Sequence, residues 1–319
     1  MVAPRTVIVV NPKSQSGKLG KRWPELADTI GRAFPFDAVM TRGPGDATRL
    51  AREALRGGAE RVVAIGGDGT INEVVNGFFD DAGAPLKPGA AFGLIPYGTG
   101  GDFRRTMNIP IATVDAAAVI AVDHRRTIDL GKLELTTHDG KRARRLFANI
   151  ASFGVSGVVD RLVNESNKRL GRLSFALATA RATWKYSNQR VQLVFDDNPN
   201  DRVEATINTV AIANGRYFGG AMMVAPNAEV DDGLFDVIAL GDFSFGDVLK
   251  SGRRLYKGTH LSMDKVTERR ARVVEAEAID PQAVVELDVD GECPGRLPAR
   301  FEILAGALSM IVPRAPASS

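Results

Sequence analysis

Apolar and polar positions follow two different patterns along the chain, and the first pattern occupies the N-terminal part. Extended, mostly apolar runs lie at residues 6–10, 36–41, 61–65 and 91–96, and apolar positions recur at helical spacing in residues 23–34, after Asp46 and from Ile71. The runs are typical of buried strands, and the spacing is typical of amphipathic helices. Strands that alternate with helices predict a mainly parallel sheet covered on both faces, with ligands at the carboxyl ends of the strands.

After about Asp129 the pattern changes to pairs of strands joined by polar turns. Such turns lie at residues 138–140 and 198–201, and a long helical pattern between them, residues 155–187, is interrupted near Gly171. We therefore predict an α/β domain over residues 1–129 and a mainly antiparallel β domain with helices over residues 130–319. The apolar segment 300–313 can also return to the sheet of the first domain.

Composition narrows the class of protein and of site. The chain has 319 residues, enough for two domains, a net charge of only +3 and no apolar run of the roughly 18 to 20 residues that a membrane span needs. Residues 1–12 carry no signal-peptide cleavage pattern, so we expect a cytoplasmic protein. Cys293 is the single cysteine, which excludes an internal disulfide and a thiolate metal cluster. His124, His138 and His260 have no partner at ligand spacing, so a zinc site and a histidine-based triad lack support, and a carboxylate is the expected general base.

The stretch GGDGTINEVVNG, residues 66–77, follows the third predicted strand and leads into a helix. Its glycines allow positive φ angles and let a ligand approach the backbone closely. We predict Thr70 as the N-cap of the helix and Glu73 as the partner that completes a capping box. Free amides at a helix N-terminus bind phosphate, and Asp68 beside a phosphate implies a bridging divalent cation, with magnesium favoured. The alternative is an ordinary glycine-rich turn in which Asp68 is a local cap.

A second glycine-rich turn, PYGTGGDF at residues 96–103, follows the fourth predicted strand and offers Thr99 and Asp102 as polar groups. Two such turns at neighbouring strand ends can frame a nucleotide, although an ordinary turn explains this one equally well. The P-loop pattern is not met, because the lysine in SQSGKLG lacks the first glycine and the hydroxyl. Asn72 stands where the dinucleotide-binding fingerprint has its third glycine or alanine, which weakens the match to that fingerprint.

With both turns identified, the sequence resembles the diacylglycerol kinase catalytic family, and most of all its bacterial lipid kinases. The resemblance runs nearly end to end, through NPKSQSGK, GGDGTINEVVNG, PYGTGGDF, FANIASFG, ANGRYFGGAMMVAPNAEVDDGLFDV and VDGE in that order. Sphingosine and ceramide kinases belong to the same group, whereas NAD kinases and phosphofructokinases are similar at the GGDGT turn within a broader superfamily. The resemblance implies an α/β nucleotide-binding domain followed by a β-sandwich domain.

The resemblance also implies site residues. Nucleotide contacts are implied for Asn11, Thr41, Gly66, Gly67, Asp68, Gly69, Thr70, Ile71, Asn72 and Thr99. A magnesium site is implied at the Asp232 side chain and at the backbone carbonyls of Glu229 and Leu234. Glu292 matches the proton acceptor, and it forms the catalytic pair together with Asp68. From the residues alone, Glu292 is a solvated hairpin glutamate and Asp232 part of a turn.

The chain departs from the family pattern beside the second glycine turn. Members often carry Asn-Asp where this chain has Gly101 and Asp102, and Tyr97 replaces a common leucine. These differences change the expected shape of the nucleotide pocket and leave the residues assigned to phosphoryl transfer in place.

The implied function is transfer of the γ-phosphoryl group of ATP, with Mg²⁺, to a membrane-lipid hydroxyl. Diacylglycerol is the first acceptor expected, ahead of a sphingoid base, a ceramide-like lipid or phosphatidylglycerol. Two alternatives stay open: a soluble small-molecule kinase of the NAD-kinase type, and a noncatalytic nucleotide-binding regulator. Nucleic-acid binding is not expected, because the basic clusters occur without a recognisable binding module. The sequence does not decide between a monomer and a homodimer.

Two basic segments are candidates for contact with an anionic membrane. Residues 168–190 combine Arg and Lys with Leu and aromatic side chains, and residues 251–257 carry Arg253, Arg254 and Lys257. Such a helix can lie on anionic lipid, which predicts peripheral binding at the inner membrane surface. For residues 168–190 the alternative is a helix that packs over a sheet with its charges in water.

Overall fold

The computed structural model describes residues 3–98, 100–159 and 186–314. The chain divides into two compact units. The first unit holds the residues up to Ile128 together with those from Gly306 onward, and the second unit holds Asp129–Ala305.

The first unit is a parallel sheet with helices. Its elements are β1 (Thr6–Val10), α1 (Lys18–Gly31), β2 (Asp37–Met40), α2 (Asp46–Arg56), β3 (Arg61–Gly66), α3 (Asp68–Asn76), β4 (Ala91–Pro96), α4 (Asp102–Thr106) and α5 (Thr113–Val122). The strand order is β2-β1-β3-β4-β15, where the end of β15 (Gly295–Ile311) pairs in parallel with β4 through Ser309 and Met310. The last strand therefore returns to the first sheet.

The core of the first unit lies between the sheet and its helices. Every residue of β1, β3 and β4 is buried, as expected for strands covered on both faces. Helix α3 buries Ile71, Val74 and Val75 against this sheet. Gly77 follows α3 where α2 crosses, and a Cβ there would lie 2.5 Å from the Cβ of Ala51, so only glycine fits this crossing.

The second unit contains two mainly antiparallel sheets. Its remaining elements are β5 (Arg125–Thr137), β6 (Arg142–Phe147), β7 (Ile150–Gly154), β8 (Gln189–Phe195), β9 (Arg202–Ile207), β10 (Thr209–Ala213), β11 (Phe235–Leu240), α6 (Phe245–Lys257), a 3₁₀ helix (His260–Ser262), β12 (Val266–Ala271), β13 (Val273–Ala278) and β14 (Leu287–Val289). One sheet runs β15-β13-β8-β9, with β5 beside β15 and β6 beside β5. The other runs β12-β11-β10-β7-β14. The turns predicted at 138–140 and 198–201 join β5 to β6 and β8 to β9.

Aromatic side chains from both sheets form the core of the second unit. Phe147 stacks on Phe235 with ring centroids 5.7 Å apart, and Phe153 stacks on Phe301 at 6.1 Å. Since each pair joins one sheet to the other, the two sheets pack face to face as a β-sandwich. The predicted fold class, an α/β domain followed by a β-sandwich domain, is confirmed.

Part of the predicted helical region lies outside the described residues. This applies to residues 160–185, which include most of the basic segment 168–190 and the predicted break at Gly171. The second basic segment belongs to α6, which begins at a capping box of Ser244 and Asp247 and exposes Arg253, Arg254 and Lys257. Among the helices that the structure describes, none has the length and apolar character needed to cross a bilayer.

Candidate functional site

The first glycine turn joins β3 directly to α3. Gly67 has extended φ and ψ angles of −95° and −176°, and α3 begins at the next residue, Asp68. A Cβ on Gly66 would lie 2.7 Å from the Thr70 side chain, so glycine is required where the helix folds back over the strand end. The Thr70 hydroxyl in turn accepts a hydrogen bond of 2.9 Å from the side-chain amide of Asn11. The turn therefore presents backbone, with the helix N-terminus immediately behind it.

The predicted capping box at Thr70 and Glu73 is wrong. Thr70 lies inside α3, whose N-cap is Gly67. The Glu73 carboxylate instead accepts hydrogen bonds from the backbone amides of Gly45 and Ala47, at 2.9 and 3.0 Å. These amides belong to the start of α2, whose glycine N-cap has no side chain to offer. Glu73 thus caps the neighbouring helix α2, and the N-terminus of α3 has no side-chain cap.

The second glycine turn lies against the first, backbone to backbone. The Tyr97 amide donates to the Gly66 carbonyl at 2.8 Å, and a Cβ on Gly98 would lie 2.6 Å from the Cα of Gly67. The Gly101 amide donates to Asp68 Oδ2 at 2.9 Å. The two turns therefore form one structure at the carboxyl ends of β3 and β4, and Asp68 joins them. Thr99 lies outside the described residues.

A cavity of about 500 Å³ opens over the two glycine turns, within the first unit. Gly66, Gly67, Gly98, Gly100 and Gly101 contribute backbone to its wall. Its charged lining residues are Arg22, Glu25, Asp68, Arg104 and Arg105. Three guanidinium groups and two carboxylates make the lining suitable for an anion accompanied by a cation. The size lies within the range of small-ligand pockets, about 300 to 1,000 Å³.

The arginines of the cavity are held in different ways. Arg22 pairs with Glu25 through two N–H···O contacts of 2.8 and 3.0 Å, and this pairing lowers the pKa of the Glu25 carboxyl. Arg105 donates to the Gly100 carbonyl at 2.6 Å and to Asp102 Oδ1 at 2.9 Å. Burial lowers the pKa of Arg104. No sequence pattern predicted a role for these three arginines, although Arg104 and Arg105 directly follow the second glycine turn.

The predicted nucleotide residues fall into two groups. Gly66, Gly67, Asp68 and Ile71 line the cavity. Asn11, Thr41, Gly69, Thr70 and Asn72 are not among its lining residues. Asn72 is fully buried and accepts a hydrogen bond from the side-chain amide of Asn76, while Thr41 is buried after β2 and its amide donates to the Val10 carbonyl at 2.9 Å. Nucleotide contacts by these residues stay predictions.

The VDGE motif forms a tight hairpin turn after β14. Asp290 and Gly291 have φ angles of 49° and 85°, and Val289 and Glu292 exchange backbone hydrogen bonds of 2.8 and 3.1 Å across them. This is the two-residue hairpin geometry that favours Asp-Gly. The Asp290 carboxylate fixes the turn, because it accepts from three successive amides, those of residues 148–150, at 3.1 to 3.2 Å.

Glu292 is ion-paired rather than simply solvated. Its Oε2 contacts the guanidinium of Arg145 on β6, and about a third of the glutamate side chain remains exposed. The ion pair joins residues 147 positions apart in the chain, which no local pattern reveals. Arg145 therefore orients the carboxylate that was predicted as proton acceptor.

Asp232, the predicted metal ligand, lies in a turn before β11. Its Oδ1 accepts from the Leu234 amide at 3.0 Å, and its Oδ2 contacts the guanidinium of Arg270. Glu229 is exposed. The carboxylate and backbone oxygens here are ligand types that suit Mg²⁺, and the arginine shows that Asp232 attracts a positive charge.

A further carboxylate near this turn was not found from the sequence. Asp236 on β11 is only 1% exposed, and neither of its oxygens has a hydrogen-bond partner in the described part of the chain. Burial, with smaller contributions from Glu268 and Glu229, raises the pKa of Asp236 to about 6. No sequence pattern marks Asp236 as a site residue, because it lies within an apolar strand in which every residue is buried. The guanidinium of Arg270, which contacts Asp232, is also near this buried carboxylate, with Nε 3.9 Å from Asp236 Oδ2.

Family models match both units. A diacylglycerol kinase catalytic domain matches residues 5–133, and a YegS C-terminal domain, described as NAD kinase beta sandwich-like, matches residues 149–312. The first match covers both glycine turns, and the second covers Asp232 and the VDGE turn.

Similar proteins match over most of their length. A diacylglycerol kinase of Mycobacterium tuberculosis is 30% identical over 84% of this chain and 82% of its own length. One of Staphylococcus haemolyticus is 29% identical over 96% and 88%. The crystal structure of a diacylglycerol kinase from Bacillus anthracis matches with a TM-score of 0.74 at 26% identity, over 97% of each chain. The chain therefore belongs to the diacylglycerol kinase family and is a lipid kinase, a phosphotransferase that uses ATP.

Proposed function

We propose that this kinase transfers the γ-phosphoryl group of ATP, with Mg²⁺, to the hydroxyl of diacylglycerol and so forms phosphatidic acid. The observation that carries the proposal is the cavity over the two glycine turns. It combines bare backbone, the N-terminus of α3, the carboxylates of Asp68 and Glu25, and three arginines. The relatives that match nearly full length are named diacylglycerol kinases.

We assign the phosphate groups of ATP to the turn at Gly66 and Gly67. The helix behind this turn directs free amides and the positive end of its dipole toward an anion. Arg104 and Arg105 add positive charge in the same cavity. Asp68 is the residue that would hold a Mg²⁺ ion there, since a carboxylate next to phosphate needs a cation between them. When bound, Mg²⁺ neutralises charge on the phosphate oxygens.

We assign Glu292 as the general base that takes the proton of the lipid hydroxyl. A hydroxyl at neutral pH is a weak nucleophile, and a carboxylate within reach can take its proton as the oxygen attacks the γ-phosphorus. The new O–P bond forms as the bond to the leaving oxygen of ADP breaks, and the proton moves to the glutamate. Arg145 acts as a positioning residue for this carboxylate, through the ion pair at Oε2.

We assign a second, structural Mg²⁺ site to the turn that contains Asp232. Its side chain and the backbone carbonyls of Glu229 and Leu234 are the proposed ligands. The buried Asp236 carboxylate supports the assignment, because it adds a second negative charge near Asp232, and Arg270 contacts both carboxylates.

We assign contact with an anionic membrane surface to α6. Arg253, Arg254 and Lys257 are exposed on this helix, and the Tyr256 side chain beside them is 54% exposed. Basic side chains with an exposed aromatic ring suit a peripheral helix at a charged bilayer surface. This contact would bring a kinase located in the cytoplasm to its lipid.

The test is transfer of radiolabelled γ-phosphoryl from ATP, with and without Mg²⁺. Mixed micelles present diacylglycerol, a sphingoid base, ceramide or phosphatidylglycerol, and NAD serves as a soluble acceptor. We expect labelled phosphatidic acid that depends on Mg²⁺. Labelled NAD with unlabelled lipids would establish the NAD-kinase alternative, and ATP binding without transfer to any acceptor would establish a noncatalytic regulator.

The membrane assignment has its own test. Co-sedimentation with vesicles that contain phosphatidylglycerol is compared for the wild type and for a variant with Arg253, Arg254 and Lys257 replaced by Gln. We expect the variant to lose most of its binding at low salt, and neutral phosphatidylcholine vesicles to bind neither protein. Equal binding of both proteins to anionic vesicles would overturn the role of α6.

A further inference from the structure

Three residues with different ligand atoms meet in the second unit, away from the turn at Asp232. His138 lies in the turn between β5 and β6, Glu286 directly precedes β14, and Cys293 lies just before β15. The pairing of β5 with β15 brings these segments together. Gly295 makes the close approach possible, since a Cβ there would lie 2.2 Å from the Thr136 carbonyl oxygen.

The ligand atoms of the three side chains face one another. His138 Nδ1 lies 3.6 Å from Glu286 Oε2, and Cys293 Sγ lies 3.7 Å from the same oxygen. The three donor groups all lie within 4.8 Å of one another. Around a tetrahedral zinc ion, bond lengths of about 2.0 to 2.3 Å separate neighbouring ligand atoms by about 3.4 to 3.6 Å. The two distances to Glu286 Oε2 are close to those separations, and Cys293 Sγ lies 3.8 Å from the His138 ring at Nε2.

The surroundings orient the imidazole for this role. His138 Nε2 lies 3.3 Å from the backbone carbonyl oxygen of Cys293, to which it donates in the tautomer that carries the proton on Nε2. In that tautomer Nδ1 directs its lone pair toward the Glu286 carboxylate, an arrangement that a cation between them stabilises. A metal-binding histidine typically donates its other N–H to a carbonyl or carboxylate in this way.

The burial of the three residues suits a site with one open coordination position. The Glu286 side chain is 3% exposed, whereas the His138 side chain is 48% exposed and Cys293 is intermediate. The carboxylate is thus fixed in the protein, and solvent reaches the imidazole side, where water can complete four-coordination.

We propose that His138, Glu286 and Cys293 form a binding site for a divalent transition metal ion of the zinc class. Sulfur, nitrogen and oxygen together favour Zn²⁺ over Mg²⁺, which prefers oxygen ligands. The site lies next to Glu292 in the chain, so a bound ion fixes the segment that follows the VDGE turn. The spacing in the sequence argued against a zinc site, because His138 is 155 residues from Cys293.

The test is a Co²⁺ titration of the untagged, chelator-treated, reduced full-length protein, followed by competition with Zn²⁺. Cys293 is the only cysteine, so a thiolate-to-cobalt charge-transfer band reports this residue alone. We expect the band at one metal per chain, tetrahedral ligand-field bands, and loss of both on addition of Zn²⁺. Cys293→Ser abolishes the charge-transfer band, and His138→Ala weakens Zn²⁺ binding by about a hundredfold.

Matched controls keep the outcome decisive. His124→Ala removes an exposed histidine outside the cluster and should leave the Zn²⁺ affinity unchanged. Because Glu286 is buried, its replacement can affect folding, so Cys293→Ser and His138→Ala carry the test, with circular dichroism as the check on folding. A wild-type protein without the charge-transfer band, or equal Zn²⁺ affinity in wild type and folded Cys293→Ser, overturns the proposal. Neither result depends on kinase activity.

Discussion

The glycine turns of the first unit and the acidic turns of the second unit build polar sites in opposite ways. Gly67 and Gly98 have no side chains, so the two turns contact each other through backbone atoms. At Glu292 and Asp232 the chain places carboxylates in turns and pairs each with an arginine from another strand. The first site depends on shape and on helix amides, and the second depends on charge pairing.

This difference explains how far each site can be rearranged. A backbone site loses its geometry when one Cβ is added, because no side chain can move aside. A charge-paired carboxylate keeps its position after an isosteric change and loses only its ability to take a proton. Variants at the two kinds of turn should therefore fail in different ways, one in binding and shape, the other in chemistry.

The largest effect is expected at the acidic VDGE turn. Glu292→Gln keeps the size of the side chain and removes the base, so we expect kcat to fall by about 10² to 10⁴-fold with KM for ATP little changed. Glu204→Gln, at an exposed carboxylate that is ion-paired with Arg190, is the control in the same unit. Activity within twofold of wild type in Glu292→Gln would show that this turn contributes charge pairing and no proton transfer.

The next effect tests Asp68, the carboxylate that joins the two glycine turns. Asp68→Asn retains an oxygen that can accept from the Gly101 amide but removes the charge that would hold Mg²⁺. We expect about a hundredfold loss of activity, together with a higher Mg²⁺ requirement. Asp28→Asn, at an exposed carboxylate paired with Arg32 in the same unit, should leave both quantities unchanged. If extra Mg²⁺ has no effect on Asp68→Asn, the cation assignment is wrong.

A third variant isolates the shape of the glycine turns. Gly98→Ala places a Cβ 2.6 Å from the Cα of Gly67, so the turns must separate. We expect a rise in KM for ATP of about tenfold and a loss of about 1 to 3 kcal/mol in the free energy of unfolding. Gly43→Ala meets nothing within 4 Å and serves as the matched control. ATP titration and urea unfolding of both variants measure the two effects. Equal KM and equal unfolding free energy in Gly98→Ala and Gly43→Ala would show that the site does not need the backbone contact between the turns.

The sequence predicted the glycine turns of the first unit and the strands next to them well. The strands at residues 6–10 and 91–96 and the turn leading into a helix are contiguous patterns, and the structure places them as expected. The helix cap was wrong, because Glu73 binds amides of α2, which adjoins α3 only after folding. The turn alone could not show that the helix begins at Asp68 with an uncapped glycine before it.

For the acidic turns, the sequence predicted the carboxylates but not the arginines that pair with them. Arg145 lies far from Glu292 in the chain, and Arg270 lies 38 positions from Asp232, so no periodicity connects them. The pairing of β11 with β12 brings Arg270 to Asp232, whereas the contact of Arg145 with Glu292 joins segments of two different sheets. For the same reason the sequence does not show that His138 and Cys293 are close together, since their proximity depends on the pairing of β5 with β15. Charge pairing between segments that are distant in the chain is therefore the part of a site that is hardest to predict from a single sequence.

The smallest effect concerns a buried titratable group of the second unit that has no arginine partner among its described contacts. His260 is fully buried, and its Nε2 donates to the Val224 carbonyl at 2.9 Å. Burial lowers the pKa of this imidazole, while hydrogen bonds to the backbone of Val224 and Arg254 oppose the shift in part.

The sign of the pH effect follows from the neutral state of the folded imidazole. The unfolded chain takes up a proton near pH 6.5 and the folded chain only at lower pH, so stability falls as pH drops below about 6.5. One proton limits the slope to about 1.4 kcal/mol per pH unit. His260→Gln keeps an N–H donor and cannot titrate, so the difference in unfolding free energy between wild type and variant should vary between pH 5 and 8, whereas His124→Gln at an exposed position should follow the wild type. A constant difference for His260→Gln would mean that the buried imidazole gains its proton as easily in the folded chain, and that the second unit stabilises charge even where it supplies no ion pair.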